Sequence, residues 1–371
     1  MPRGSKPQRT KRKSGRPKVV RSSGEQLRNK AADDMLTHAS TSDGNRTDDM
    51  LTHASTSDDT LKPGHARGRV IQVLGIHWVV QIKEETLRCT VRRSRRHAVT
   101  RPVVGDVVEM DRPSGGMRRI IRVLPRQKVL RRATVHRGKT EQAIAANVDQ
   151  LLVVGSVTHP SLNAGLMDRY LVAAWREGIQ PLLCLTKCDL DIDAYAQDIM
   201  NSFRELNVTM VKTSVISGDG ISKLLSLLEG HTTVFAGLSG VGKTSLARVL
   251  LKDDTLRVGQ ISRATGRGCH VTSSARLFAL PDGVPGHIID LPGQKVFGLS
   301  GLTSQDLLRG FPEFERLGHC ELPRCAHHLE PGCAITQAVA SGTVSRRRLE
   351  AFHRIQASIA EQPSDGSLHS T

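Results

Sequence analysis

Apolar positions in this chain follow two regimes. Between Ala66 and Arg126 they come in short alternating runs: RVIQVL, HWVVQI, LRCTV, DVVEM and RRIIRVL. Gly75, Gly105 and the stretch from Pro113 to Gly116 separate them. Alternation at period two marks half-buried strands, and five such runs in about 60 residues predict a small β-barrel of the OB-fold type. From Val148 to about Leu299 apolar strands are suggested at LLVVGSV, PLLCL, VTMVK, TTVFA, RLFAL and HIIDL. Between the first two, Leu166, Met167, Tyr170, Leu171, Ala174 and Trp175 recur at helical spacing, as core packing. Strand and helix in alternation predict an α/β domain with a mostly parallel sheet. Near the end, Ser345 to Gln362 reads as a basic amphipathic helix.

The first stretch of the chain lacks any such pattern. Within it DDMLTHASTSD occurs twice, at Asp33 to Asp43 and at Asp48 to Asp58. One repetition is too little for a solenoid. It reads as a duplication inside an unstructured segment.

Composition sharpens this division. The 371 residues carry 53 Lys plus Arg against 36 Asp plus Glu, a formal net charge of +17. Met1 to Lys30 alone holds 11 basic residues against Glu25, which leaves only +7 for the rest of the chain. So basic and apolar-poor a segment cannot offset its ordering entropy by burial, so disorder and a polyanion partner are expected. Gly15-Arg16-Pro17 within it resembles a minor-groove AT-hook peptide; a solvated, phosphate-binding tail is favoured. No apolar run approaches a membrane span and no secretory leader is visible, so a transmembrane or exported protein is not expected. In the barrel segment Arg92, Arg93, Arg95, Arg96 and His97 make a basic loop, and Trp78 is the only aromatic residue. Phosphate contact or shape reading of folded RNA fits this better than base stacking.

The chemistry concentrates after TTVFA. Gly237, Leu238, Ser239, Gly240, Val241, Gly242, Lys243 and Thr244 match the phosphate-loop template at every fixed position, with Ser245 continuing into the helix SLARVLL. Inward-turned backbone N–H groups and the helix N-terminus suit a polyphosphate. Lys243 is placed to reach its β- and γ-phosphates and Thr244 to hold Mg²⁺. Thr186, Lys187, Cys188 and Asp189 follow PLLCL, where an aspartate reads the guanine N1–H and 2-amino group. Ser214 and Val215, after VTMVK, fall where a second guanine-contacting loop belongs. Asp290, at the end of HIIDL, is expected as a water-mediated Mg²⁺ ligand, and the Gly293 N–H as a γ-phosphate donor. Gly266 to Thr272 reads as a first switch, with Thr272 completing the Mg²⁺ shell. Gln294 is the expected water-orienting residue, His270 a weaker candidate. These are the elements of a GTPase with the guanine loops ahead of the phosphate loop, an order that circular permutation produces at little cost.

Seven cysteines, an odd number, include Cys320, Cys325 and Cys333, with His327 between them. Three thiolates and an imidazole predict a closed, structural tetrahedral zinc site in a reducing compartment. The adjacent His328 competes for the imidazole role.

Barrel, permuted GTPase and Cys-Cys-His-Cys finger, in that order, resemble the small ribosomal subunit biogenesis GTPases of the RsgA type. ANVDQ at Ala146 to Gln150, GLSGVGKTSL, GRGCHVT and HHLEPGCA look like its signatures, over roughly Ala66 to Glu361. Four segments are expected: a disordered basic tail (1–62) that lies outside the family core, and, as the resemblance implies, an OB-fold RNA- and ribosome-binding domain (63–130), a circularly permuted GTPase domain (131–299) and an α-helical zinc-finger domain (300–371). It further implies a cytoplasmic, monomeric GTP hydrolase that uses Mg²⁺ and one zinc. Its partner would be the 30S subunit with its 16S rRNA, in late assembly, with hydrolysis stimulated by that RNA. The sequence departs from the family at Gln294, where a hydrophobic residue is usual, and at Cys269 and Val271 in the first switch. The other reading is a GTP-switched, zinc-containing nucleic-acid-binding regulator that does not act on the ribosome.

Overall fold

A computed structural model describes residues 64–91, 100–111, 117–133, 141–253, 275–291, 304–328 and 330–360. Five sequence expectations lie outside the described residues: the tail with its repeat, the Arg92 to His97 loop, the Pro113 to Gly116 turn, the Gly266 to Thr272 switch with His270, and Gly293 with Gln294.

The alternating runs form β1 (Ala66–Leu74), β2 (His77–Ile82), β3 (Glu85–Val91), β4 (Val107–Asp111) and β5 (Arg119–Val123). β1, β2 and β3 are successively antiparallel, β3 pairs parallel with β5, β5 antiparallel with β4, and β4 returns to β1. The result is a closed five-stranded barrel around Val70, Trp78, Val80, Cys89, Val108, Met110 and Ile120. Trp78 is in this core, its indole N–H donating to the Pro102 carbonyl at 2.9 Å, so it offers no face to a base.

A hairpin that the periodicity did not announce follows: β6 (Val129–Ala133) and β7 (Glu141–Ala146). It straddles residue 130, where the sequence reading placed a border. Asn147 closes the joint, donating from Nδ2 to the Gly105 carbonyl at 3.0 Å and accepting from the Gln127 amide at 3.1 Å. Asp149 accepts from the Thr232 amide at 2.8 Å, and Gln150 bridges Thr233 and the Leu227 carbonyl. The polar residues of ANVDQ thus tie barrel, hairpin and central sheet together.

The central elements are β8 (Gln150–Ser156), α1 (Ala164–Arg176), β9 (Gln180–Thr186), α2 (Ala194–Arg204), β10 (Thr209–Lys212), α3 (Ile221–Leu228), β11 (Thr232–Ala236), α4 (Lys243–Leu251), β12 (Arg276–Ala279) and β13 (His287–Asp290). Strand order is β10-β9-β8-β11-β13-β12, parallel except for β12. Beyond β12 the sheet continues into the barrel through Gln72 of β1 opposite Arg276. Helices on both faces bury β8, β9 and β11 almost completely, which is why these strands read as continuous apolar runs.

The C-terminal part packs α5 (Ser304–Leu308), α6 (Pro312–Glu315), α7 (Ala334–Ala340) and α8 (Arg346–Ala360) around Phe311, Phe314 and Phe352. The basic face expected of α8 is partly turned inward. Arg348, 1% exposed, donates to Asp168 at 2.8 Å and Glu313 at 2.6 Å and stacks on Phe311 at 4.4 Å. Among the described residues no helix is long and apolar enough to cross a membrane.

Gly105 illustrates how tight the barrel joint is. Its φ is +89°, and a Cβ there would lie 2.1 Å from the Ala146 carbonyl oxygen. Gly105→Ala is expected to lose at least about 1–2 kcal/mol from backbone strain. Thermal unfolding checks this, and an unchanged midpoint would contradict the close approach.

Candidate nucleotide site and metal centre

β11 ends at Ala236, and the chain turns at once into the loop that opens α4. Gly237 has φ +145°, and a Cβ there would sit 2.2 Å from the Val154 carbonyl oxygen, so only glycine lets the loop leave the sheet this way. Lys243 begins α4 and folds back over the loop. Its Nζ donates to the carbonyls of Gly237 at 2.8 Å and Leu238 at 2.5 Å. Thr244 and Ser245 occupy the same first turn, half-buried, where the positive end of the helix adds to the ammonium.

Asp290 ends β13, the neighbour of β11, and faces Lys243. Burial pushes its carboxyl up to about 6, with the Lys243 charge opposing. Burial likewise brings the Lys243 ammonium down to about 8, with Asp290 opposing. Between these values both groups are charged and poorly hydrated, a poised pair for an incoming anion and a hard cation.

The guanine-loop candidates come from the adjacent strand ends. Thr186 closes β9, and its hydroxyl donates to the Val241 carbonyl, so this strand end is bonded to the phosphate loop. Lys187, at φ +60°, donates to the His159 carbonyl. The Cys188 amide donates to the Thr213 carbonyl at 3.1 Å. Asp189 is exposed, and one of its oxygens accepts from the Ser214 hydroxyl at 2.5 Å. Ser214 in turn accepts from the amides of Ile216 and Ser217, which holds the carboxylate against a rigid loop. Val215 beside it is exposed. Ser239 and Gly240 are exposed, and Val241 is buried in the core under the loop.

Three participants escaped sequence reasoning. The loop from Val157 to Asn163 approaches the site: His159 meets Lys187, and Pro160 lies beside Gly240. Tyr170 on α1 lines the same small pocket as Gly237, and burial pushes its phenol up to about 12. Asp168, fully buried on the same helix, pairs with Arg347 at 3.1 Å and Arg348 at 2.8 Å. Helical spacing marks Tyr170 as core, and nothing local marks Asp168, since both arginines lie far along the chain.

In the C-terminal part, Cys320, Cys325, His327 and Cys333 bring one ligand atom each to within 4.8 Å of one another. The His327 Nδ1 lies 3.6 Å from both Cys320 and Cys333 Sγ, which are 4.0 Å apart. Zinc–sulfur bonds of about 2.3 Å place tetrahedral thiolates roughly 3.8 Å apart, so the donor set fits one zinc ion. His328 does not compete: it stacks on His353 at 4.3 Å, outside the cluster. Glu330, missed in the sequence, accepts from the amides of Ala326 at 2.9 Å and His328 at 2.6 Å and braces the ligand loop. His353 donates to the His327 carbonyl at 2.7 Å, and Phe352 packs edge-on against the ring of His327.

A family model described as RsgA GTPase matches residues 123–300. The small ribosomal subunit biogenesis GTPase RsgA of Pseudomonas aeruginosa (strain LESB58) is 39% identical over 299 residues, 79% of this chain and 86% of that protein. The protein of that name from Ectopseudomonas mendocina is 40% identical over 299 residues, covering 77% and 84%. The chain belongs to the RsgA GTPase family. It is therefore a GTP hydrolase. The crystal structure of YjeQ from Thermotoga maritima aligns with 81% of this chain and all of its own, at 27% identity and a TM-score of 0.62. That of YloQ, a circularly permuted GTPase, covers 83% of this chain and 99% of its own at 24% identity and a TM-score of 0.62, and shares the fold. The permuted fold accounts for candidate guanine loops that precede the phosphate loop in this RsgA-family chain.

Freshly purified protein is expected to carry one zinc ion per chain by elemental analysis. Cys333→Ser should lose it and lower the unfolding temperature, whereas full metal content in that variant would remove Cys333 from the ligand set.

Proposed function

We propose that this chain binds GTP at the rim formed by β11, β13, β9 and β10, and hydrolyses it as a factor in late assembly of the small ribosomal subunit. The observation that carries this reading is the convergence of Lys243, Asp290 and Thr186 on one loop. Gly237 to Ser245 wraps the phosphates. Lys243 exchanges its two carbonyl partners for β- and γ-phosphate oxygens, at little reorganisation cost because it is already held over the loop. Asp189, oriented by Ser214, accepts from the guanine edge, while the stem of Lys187 covers the base, with Cys188 and Val215 beside it. Thr244, Thr272 and Asp290 offer oxygen donors alone, which suits a hard cation such as Mg²⁺. When bound, that ion would neutralise charge on the phosphates. Gly293 donates its N–H to the γ-phosphate, and Gln294 orients the attacking water.

The closed barrel, with strand order β1-β2-β3-β5-β4, supports an OB-fold. Its basic loop supports contact with phosphates of 16S rRNA rather than with stacked bases. We keep the division into 1–62, 63–130, 131–299 and 300–371, with the β6–β7 hairpin as the hinge of the barrel joint. The names of the relatives support the 30S subunit as partner. A cytoplasmic monomer, stimulated by rRNA, fits that role.

GTP turnover by the purified protein should rise by at least about ten-fold with small subunits. The proposal fails if turnover is unchanged and no protein sediments with subunits in a non-hydrolysable GTP analogue. Lys243→Ala should abolish nucleotide binding, and an unchanged affinity would refute the phosphate-loop assignment. The pH profile gives a separate check. Because burial raises Asp290, its charge disappears as pH falls through about 6, well above the range of an exposed carboxylate. The acid limb of kcat/KM should lie near that value and vanish in Asp290→Asn; a limb near pH 4 would contradict the assignment.

A further inference from the structure

The loop between β8 and α1 belongs to none of the elements that the nucleotide reading uses, yet it touches two of them. Its ends are fixed. The Val157 amide donates to the Thr186 carbonyl at 3.2 Å, and Asn163 caps α1 by accepting from the Leu166 amide at 2.9 Å. Val157 and Leu162 are buried in the core, which leaves Thr158 to Ser161 nearer the surface. There the His159 carbonyl accepts from the Lys187 ammonium. Pro160 Cδ lies 3.8 Å from where a Cβ on Gly240 would stand. Thr186, in turn, is bonded to the Val241 carbonyl. The loops that follow β8, β9 and β11 thus hold one another pairwise.

Stability alone is a poor reason for this bridge. His159 and Lys187 are non-glycine residues in the left-handed region, at φ +39° and +60°. Such a conformation costs free energy and persists where surrounding contacts impose it. A lysine ammonium near the surface gains little by exchanging water for one neutral carbonyl, and its long stem loses rotamer freedom. Both costs fall where a guanine nucleotide would cross from its base site to its phosphate site. Asp189 and Ser214 mark the base edge, Gly240 and Lys243 mark the phosphates, and the contacts of Lys187, His159 and Pro160 run from one to the other.

We propose that residues 157–163 are a further element of the nucleotide site, a strap whose His159 carbonyl holds the Lys187 ammonium, keeps the Lys187 stem over the guanine base and so sets how long the nucleotide stays bound. This rests on the guanine-site reading above. His159 and Pro160 are positioning residues, acting through Lys187 and Gly240 rather than on the reacting phosphate. Once a base covers the stem, water is excluded from the bridge, and a bond from a charged donor counts for more than in the empty site. The strap acts on the face of the base, which all purines share, whereas Asp189 reads the edge that distinguishes guanine. It therefore lengthens residence without choosing the base.

The experiment follows dissociation of radiolabelled GDP from the full chain, together with competition by inosine diphosphate, which lacks the 2-amino group. Lys187→Met keeps an apolar stem and removes the ammonium. Dissociation should quicken on the order of ten-fold, as for the loss of one charge-assisted hydrogen bond. The loop variant Thr158→Gly, His159→Gly, Pro160→Gly loosens the strap and should act in the same direction. Because the ammonium works through the strap, the combined variant should be no faster than the faster of the two. In each, GDP and inosine diphosphate should weaken by the same factor, since the base edge is untouched. A merely structural role would lower the melting temperature and leave dissociation from the folded protein at the wild-type rate. A wild-type rate in either variant, effects that multiply on combination, or a changed preference for GDP would overturn the proposal. Should the loop variant not fold, Pro160→Ala, which removes the ring beside Gly240 and frees the backbone there, replaces it with the same outcomes. Asp189→Asn tests the base site separately. If it erases the preference for GDP while Lys187→Met dissociates at the wild-type rate, only the strap fails; if it leaves the preference intact, the guanine-site reading fails.

Discussion

Parallel pairing of β8, β9, β10, β11 and β13 is the constraint from which the site follows. Parallel strands share one direction, so the loops leaving their carboxyl ends all emerge on the same rim. β11 emits the phosphate loop there, β13 delivers Asp290, β9 delivers Thr186 to Asp189, and β10 leads to Ser214. Chain order is irrelevant to this result. A permutation moves the termini and leaves each strand's direction and neighbours unchanged, which is how the loops after β9 and β10, which come first in sequence, still meet a phosphate loop that comes later.

That rim is held at an electrostatic cost. Lys243 and Asp290 are both buried, and burial moves each toward its neutral form while their mutual attraction resists. The fold tolerates the pair because Lys243 has two carbonyl partners in the loop, and because the ends of β9 and β11 are joined through Thr186 and Val241. Stability given up here is recovered in the two apolar layers on either face of the sheet, where α1 and α2 pack on one side and α3 and α4 on the other. Sites that bind charged ligands are built this way: groups are desolvated and oriented before the ligand arrives, so less rearrangement remains at binding.

One apolar core runs through the barrel joint, the central sheet and the C-terminal part, and polar residues bridge the same seams. Asn147, Asp149 and Gln150 connect the barrel joint to the central sheet, and Asp168 with Arg347, Arg348 and Glu313 connects that sheet to the C-terminal part. Directional bonds with fixed partners add a defined orientation to that apolar contact. The +17 charge of the whole chain accordingly overstates the free basic surface, since Arg126, Arg176 and Arg348 are each paired with an internal carboxylate.

The sequence by itself determined the barrel strands, the apolar strands of the central sheet, the phosphate loop and the Cys-Cys-His-Cys spacing. Each is written in contiguous residues: alternation at period two, a run of apolar side chains, glycines at set intervals, thiols close along the chain. It did not determine the β6–β7 hairpin, whose AIAA segment lacks alternation, nor the short helices around Phe311 and Phe314. Nor could it reveal that Tyr170 and Gly237 line one pocket, that His159 meets Lys187, or that Asp168 is clamped by arginines some 180 positions away. Such contacts depend on how elements pack, and a buried ion pair has no local period to betray it. Local pattern chose the elements and the chemistry; only packing decided which charges face the ligand and which hold the molecule together.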